Sequence, residues 1–157
     1  MKNPLAVAAA LACAPAISLA QPFAYDLKLC STSEATVIDR AGDTTLLAVH
    51  IRGLSDSNTP GGAFDRQTYE CRSVMNAAKP GAEFTGRCTF VDMDGHKALG
   101  TFTGNSAGWT WTFLAGTGKY EGIEGGGTTK PLKQYPRVSP AVGGACAHAI
   151  GSYTIRK

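Results

Sequence analysis

The sequence has few charges, and those it has do not cluster. Only 17% of its 157 residues are charged, and the formal net charge is +3 at pH 7. A stripe of lysines and arginines would be needed to follow a nucleic acid backbone or an anionic membrane surface, and none is present. We therefore expect a small molecule or another protein as the partner, and no nucleic acid.

The sequence also lacks closely spaced cysteine pairs. A zinc site needs pairs such as C-x-x-C, and none of the five cysteines forms one, so we expect no metal and no cofactor. Cys13 lies in an apolar N-terminal segment. The other four are Cys30, Cys71, Cys88 and Cys146, an even set that is typical of two disulfides in an exported chain. Four cysteines allow three pairings.

The position of one turn favours one of these pairings. Residues 78–81, Ala-Lys-Pro-Gly, are a strong turn signal midway between Cys71 and Cys88. An antiparallel hairpin closed by this turn places the two cysteines opposite each other, which leaves Cys30 and Cys146. We predict the bridges Cys71–Cys88 and Cys30–Cys146. The second joins the two ends of the chain, as a closed barrel allows when its first and last strands are neighbours.

The sequence has only one long apolar run, at its N terminus. Lys2 precedes an apolar stretch from Leu5 to Leu19, and Ser18-Leu19-Ala20 forms a small-x-small cleavage site before Gln21. This pattern predicts a secretory signal peptide over residues 1–20 and a domain over residues 21–157. We expect a periplasmic or secreted protein with no stable membrane anchor after cleavage.

Two alternatives exist for this N-terminal segment. A membrane anchor is disfavoured because the segment is short and rich in alanine. A lipoprotein leader cleaved before Cys13 has the small residue Ala12 in place, but Ala10 stands where a larger aliphatic residue is wanted.

Helical periodicity is almost absent after residue 20. Runs of five to ten residues rich in Thr, Val, Phe, Tyr and Trp end at Gly, Asp, Asn or Pro, a spacing typical of an all-β meander. We predict eight or nine strands, with 23–32 and 36–39 as separate strands, a loop over 53–64, and a proline-containing loop before the last strand. Such a meander removes its unpaired edges by closing, so the expected fold is a single eight-stranded antiparallel β-barrel with two disulfides.

The most conspicuous motif is a glycine-rich segment from Phe113 to Thr128. A dinucleotide fingerprint would need a third glycine where Glu121 stands, and a phosphate-binding loop would need Ser or Thr where Tyr120 follows Lys119. Further glycines also disfavour the helix that both motifs open. We expect a tight hairpin turn at Gly116 to Gly118 and a sharply coiled strand after it.

These residues also carry a family resemblance. Gly-Thr-Gly-Lys-Tyr-x-Gly-Ile-x-Gly-x-Gly-Thr after an aromatic strand resembles the penultimate hairpin of the allene oxide cyclase barrel-like superfamily, which includes the plant cyclases and the dirigent proteins. The segment from Gly86 to His96, with Asp-Met-Asp-Gly at its turn, is similar to small exported bacterial proteins with this barrel. The resemblance implies an eight-stranded barrel with a ligand-sized interior. Because plant members form dimers or trimers, it also implies a homo-oligomer as one option.

One strand offers candidate ligand-binding residues. Trp109, Trp111 and Phe113 alternate onto one face and, with Tyr120, can line a pocket for a small hydrophobic or aromatic molecule. The alternative is ordinary core packing.

Polar candidates fall in two groups. Glu70 and Arg72 share one strand face and, with Arg52, can form an acid–base or substrate-orienting centre inside a barrel, or else a surface pair. Asp92, Asp94 and the residues after them do not match a calcium loop, so we interpret this segment as turn chemistry and not as a metal site.

Three functional classes remain from the sequence. The first is an exported barrel that binds a small hydrophobic molecule, which predicts an interior cavity. The second is a cyclase or isomerase that confines a reactive apolar substrate, which predicts Glu70 or Arg52 projecting into that cavity. The third is a filled barrel that acts through its surface as an interaction or inhibitor protein, which predicts no cavity.

Overall fold

The computed structural model describes residues 21–78 and 81–156. They form eight antiparallel strands that close into one barrel, each strand pairing with the next and the last with the first. The expected all-β, eight-stranded meander is confirmed. The predicted leader, residues 1–20, and the tip of the 78–81 turn lie outside the described residues. The strands are β1 (Phe23–Ala41), β2 (Thr44–Ser57), β3 (Gln67–Ala78), β4 (Gly81–Val91), β5 (Lys97–Asn105), β6 (Gly108–Gly116), β7 (Ile123–Ser139) and β8 (Val142–Ile155).

Residues along each strand alternate between the inside and the outside of the barrel. On β3, Gln67, Tyr69, Cys71 and Ser73 are buried, whereas the residues between them are exposed. This period of two follows from the pleat of a strand. It gives the barrel an interior rich in aromatic side chains and an outer surface on which polar residues are mixed with exposed apolar ones such as Leu54, Val74 and Leu114.

The stagger of the strands sets the width of the barrel. Following cross-strand partners from Leu27 once around the barrel leads back to β1 at Val37, ten residues farther along the strand. Stagger, strand tilt and diameter are linked, and an eight-stranded barrel is either filled by side chains or holds one small ligand.

Two strand boundaries differ from the prediction. Segments 23–32 and 36–39, predicted as separate strands, belong to the single strand β1. Strand β2 continues through Gly53, where we expected a loop, as far as Ser57. Gly53 marks close packing and not a chain turn, because the ring of Tyr69 lies where a Cβ atom of Gly53 would be.

The predicted proline-containing loop is mostly strand. Pro131 and Pro136 lie within β7, and only Pro140 lies in the turn to β8. Among the described residues, β7 pairs with β6 as far as Thr129, and beyond it pairs with β8 alone. The later part of β7 therefore has a free side, and proline is tolerated in a strand with a free side.

The connection between β6 and β7 is also different from the expected tight hairpin. Gly118–Tyr120 form one turn of 3-10 helix. The glycines that follow lie in β7, where the Trp111 carbonyl occupies the position of a Cβ atom on Gly126. The glycine-rich segment thus brings β7 close to its neighbours and forms no phosphate-binding loop.

Both predicted disulfides are confirmed. Cys71–Cys88 joins directly paired residues of β3 and β4, and Cys30–Cys146 joins directly paired residues of β1 and β8. Two disulfides are typical of proteins from an oxidising compartment outside the cytoplasm. The described part of the chain contains no helix of the length and apolarity that a membrane crossing requires.

Candidate functional site

The barrel encloses a cavity of about 300 Å³. Leu27, Ile51, Phe102 and the Cys71–Cys88 bridge are part of its mostly apolar wall, and none of the described residues that line it is charged. For scale, an engineered apolar cavity of about 150 Å³ binds benzene. The cavity therefore has room for a molecule of about two aromatic rings.

Strand β6 supplies an aromatic wall of this cavity. Trp109, Trp111 and Phe113 all line it, so the structure places them on the face that the predicted pocket requires. The Trp111 ring centroid lies 5.5 Å from that of Phe90 and 5.7 Å from that of Phe113, both in edge-to-face contact. Such contacts hold the rings in place and leave their remaining surface toward the cavity.

One end of the barrel is closed by Phe64. This residue lies in the loop between β2 and β3, is only 2% exposed, and has a φ of 60°, which is uncommon for a bulky residue. Its ring stacks between Phe113 and Tyr120, with centroid distances of 5.4 and 5.3 Å. The Ser55 hydroxyl donates a hydrogen bond of 2.7 Å to its carbonyl oxygen.

Asp65 holds the loop that carries Phe64. Its carboxylate accepts hydrogen bonds from the backbone N–H groups of Ser57, at 3.0 Å, and Gly61, at 3.1 Å. These two hydrogen bonds lower the pKa of Asp65, and the one from Ser57 has the larger effect. The loop is therefore tied to the end of β2, and Phe64 enters the barrel from a fixed position.

The structure corrects the position expected for Tyr120. This residue does not line the cavity with the tryptophans but lies beyond Phe64, at the closed end, where it is buried. Its hydroxyl accepts a hydrogen bond of 2.5 Å from Nε2 of the buried Gln67. The turn of 3-10 helix before β7, which the sequence did not predict, directs Tyr120 onto the outer side of the Phe64 ring.

The opposite end of the cavity reaches the surface beside the hairpin between β5 and β6. The exposed residues Asn105 and Ser106 line it there, together with Gln134 of β7. This end is the entrance that the structure offers to a ligand.

The polar groups on the cavity wall are uncharged hydroxyls, phenols and amides. Ser31, Ser73 and Thr129 line the cavity from β1, β3 and β7. Burial raises the pKa of Tyr25 to about 12 and also raises the pKa of Tyr69. Both phenols are therefore neutral at pH 7, and the wall presents no ionised group.

Glu70, Arg52 and Arg72 lie on the outer face of the barrel and not in the cavity. The Glu70 carboxylate is 47% exposed and accepts hydrogen bonds from His50 Nε2, at 2.6 Å, and Arg72, at 2.9 Å. The hydrogen bond from His50 is the main reason that the pKa of Glu70 is lowered. Glu70 alternates with Tyr69 and Cys71, which face inward, so of the two interpretations the surface cluster is the one that the structure shows.

Asp92, Asp94 and His96 form a turn whose carboxylate is already engaged. Asp92 Oδ1 accepts hydrogen bonds of 2.9 Å from the backbone N–H groups of Asp94 and His96, and Lys119 Nζ lies 2.7 Å from Oδ2. Burial acts to raise the pKa of Asp92, but these partners outweigh it and the pKa is lowered. Side-chain ligand atoms of the three residues lie within 4.8 Å of one another, and the Asp92 carboxylate is already paired with the ammonium group of Lys119.

No protein-family model matches the chain, and no curated protein matches it in sequence. Membership of the allene oxide cyclase barrel-like superfamily therefore stays a prediction. The eight-stranded barrel that this resemblance implies is the fold of the chain.

Proposed function

We propose that this protein is an exported barrel that binds one small hydrophobic or aromatic molecule in its interior. The observation that carries this proposal is the cavity of about 300 Å³ with an apolar, largely aromatic wall. Apolar pockets with a few placed polar groups are the usual sites for small ligands. The pair of disulfides and the apolar N-terminal sequence support a periplasmic or secreted location.

The cavity also favours binding over the two alternatives. The cyclase or isomerase alternative predicts Glu70 or Arg52 projecting into the cavity, but Glu70, Arg52 and Arg72 lie outside it. A barrel that acts only through its surface needs no interior space. Of the three functions, ligand binding is the one that needs the apolar cavity and needs no charged residue inside it.

Fluorescence tests this proposal directly, because both tryptophans of the sequence line the cavity. We expect 1-nitronaphthalene, a neutral two-ring quencher, to quench Trp109 and Trp111 in a saturable titration with one site per chain. Ala147→Phe places a ring in the cavity and should weaken binding about tenfold or more, the equivalent of about 1.4 kcal/mol.

The matched control is Ala48→Phe, which adds the same ring at an exposed position of β2. This variant should bind as the unmodified protein does, and thermal unfolding checks that both variants are folded. Quenching that rises linearly with quencher, equally in all three proteins, would show that the cavity takes no ligand.

A further inference from the structure

Two buried residues with hydroxyl groups lie on opposite walls of the cavity. Ser73 is 9% exposed and Thr129 is 3% exposed, and both line the cavity. They belong to β3 and β7, which are four strands apart in either direction around the eight-stranded ring and so lie on opposite walls.

These hydroxyls differ from those on the outside of the barrel. The hydroxyls of Thr85 and Thr110, on the outer face, donate to carbonyl oxygens of neighbouring strands. Ser73 and Thr129 have no such contact among the side-chain hydrogen bonds of the described residues, whereas the other two buried polar side chains, Ser55 and Gln67, each have a protein partner. Because buried polar groups in proteins are normally hydrogen-bonded, this pair has capacity for a partner inside the cavity.

The chemistry of that partner is restricted by what surrounds it. The described lining contains neutral hydroxyl, amide and phenol groups and no cationic or anionic side chain. Burying an unpaired carboxylate or ammonium group costs far more free energy than burying a hydroxyl that is hydrogen-bonded. A charged ligand would find no counter-ion at the depth of Ser73 and Thr129.

Building on the proposed function, we infer that the ligand is a neutral amphiphile with one uncharged oxygen group, such as an aromatic alcohol or ketone. Its apolar body lies against Trp109 and Trp111, and its oxygen group hydrogen-bonds with Ser73 or Thr129. The two hydroxyls determine the orientation of the ligand, and the absence of charge on the wall excludes acids and amines.

Equilibrium dialysis at pH 7 with three probes of one ring system tests this inference. The probes are naphthalene, 2-naphthol and 2-naphthoate. The unmodified protein should bind the first two and not the carboxylate. The substitution at the hydroxyl that binds the oxygen group, Ser73→Ala or Thr129→Val, should weaken 2-naphthol about fivefold, as loss of one hydrogen bond does, and both substitutions should leave naphthalene within about twofold.

Thr112→Val is the matched control, because Thr112 is exposed on the outer face of β6. It should change the affinity for neither probe, and naphthalene binding shows that each variant keeps its cavity. If naphthalene binds but the two substitutions leave 2-naphthol unaffected, or if 2-naphthoate binds as tightly as 2-naphthol, the inference is wrong while the binding function stands. If no probe binds, both are wrong.

Discussion

At the residue scale, Phe64 shows what the sequence could and could not reveal about the site. It is the one large apolar residue between Ser57 and Asp65, and a single apolar side chain in a polar loop indicates that the loop packs against the barrel. Its position inside the barrel depends on a backbone conformation with positive φ and on stacking with Phe113 and Tyr120. These are tertiary contacts, which composition and spacing do not contain.

The polar candidates illustrate a second limit at this scale. Alternation correctly puts Glu70 and Arg72 on one face of β3, but it does not say which face is inside. Tyr69 and Cys71, on the other face, decide the question, since aromatic and disulfide-bonded side chains are more often buried than paired charges. The same alternation would also have placed Ser73 inside.

The turn after β4 allows a prediction about acid stability. The side chain of Asp92 is 5% exposed, and its contacts with Lys119 and two backbone N–H groups lower its pKa in the folded state. The Asp92 carboxylate therefore contributes to the free energy of unfolding above its pKa in the unfolded state, about 3.9. This contribution is lost as the pH falls through its pKa in the folded state. We expect Asp92→Asn to be less stable than the unmodified protein at pH 7, with a difference that vanishes at low pH.

Urea unfolding between pH 2 and pH 7 measures this difference. Asp94→Asn is the control, because the Asp94 side chain is exposed and the turn uses only its backbone N–H. A destabilisation by Asp92→Asn that is equal at all pH values would show that the charge is not responsible.

At the scale of elements, the pairing of β5 with β6 depends on glycines that make room for tryptophan. The indole of Trp111 lies where a Cβ atom of Gly100 would be, and the backbone of Trp109 lies where one of Gly104 would be. A glycine within a strand is often interpreted as a break, and its packing against a neighbouring strand is a tertiary contact that the sequence pattern does not show. The aromatic wall that β6 gives the cavity therefore depends on the glycines of β5.

Gly100→Ala tests this arrangement. The added methyl group overlaps the Trp111 ring and the Thr112 carbonyl, so we expect a loss of about 1–3 kcal/mol in unfolding free energy and a changed tryptophan emission spectrum. Gly81→Ala, whose added methyl group would have no neighbour within 4 Å, should change stability by less than about 0.5 kcal/mol. Equal stabilities for the two variants would contradict the packing role of Gly100.

At the scale of the whole molecule, the sequence was sufficient for the all-β meander, its closure into a barrel and the disulfides. Turn signals between short apolar runs predict the meander, and one turn midway between Cys71 and Cys88 was enough to assign both bridges. The interior space was not predictable in this way. It depends on the stagger around the ring and on which side chains meet in the middle, and both are properties of the closed barrel.

The two disulfides should contribute unequally to stability. Cys30 and Cys146 are 116 residues apart in sequence, and Cys71 and Cys88 are 17 apart. Since loop-closure entropy grows with loop length, we expect Cys30→Val with Cys146→Val to lose about 5 kcal/mol, and Cys71→Val with Cys88→Val about 3 kcal/mol. Denaturant unfolding of the two double variants measures both losses, and valine keeps apolar volume at each site. A larger loss from the shorter loop would contradict this order.

The seal formed by Phe64 also has a kinetic consequence. A cavity that is closed at one end has a single opening, so a ligand enters and leaves by the same route, past Asn105 and Ser106. A second ligand cannot displace the bound one from the closed end, so ligand exchange proceeds through the unliganded barrel. The rate at which one ligand replaces another is then set by the departure of the first, however concentrated the second is.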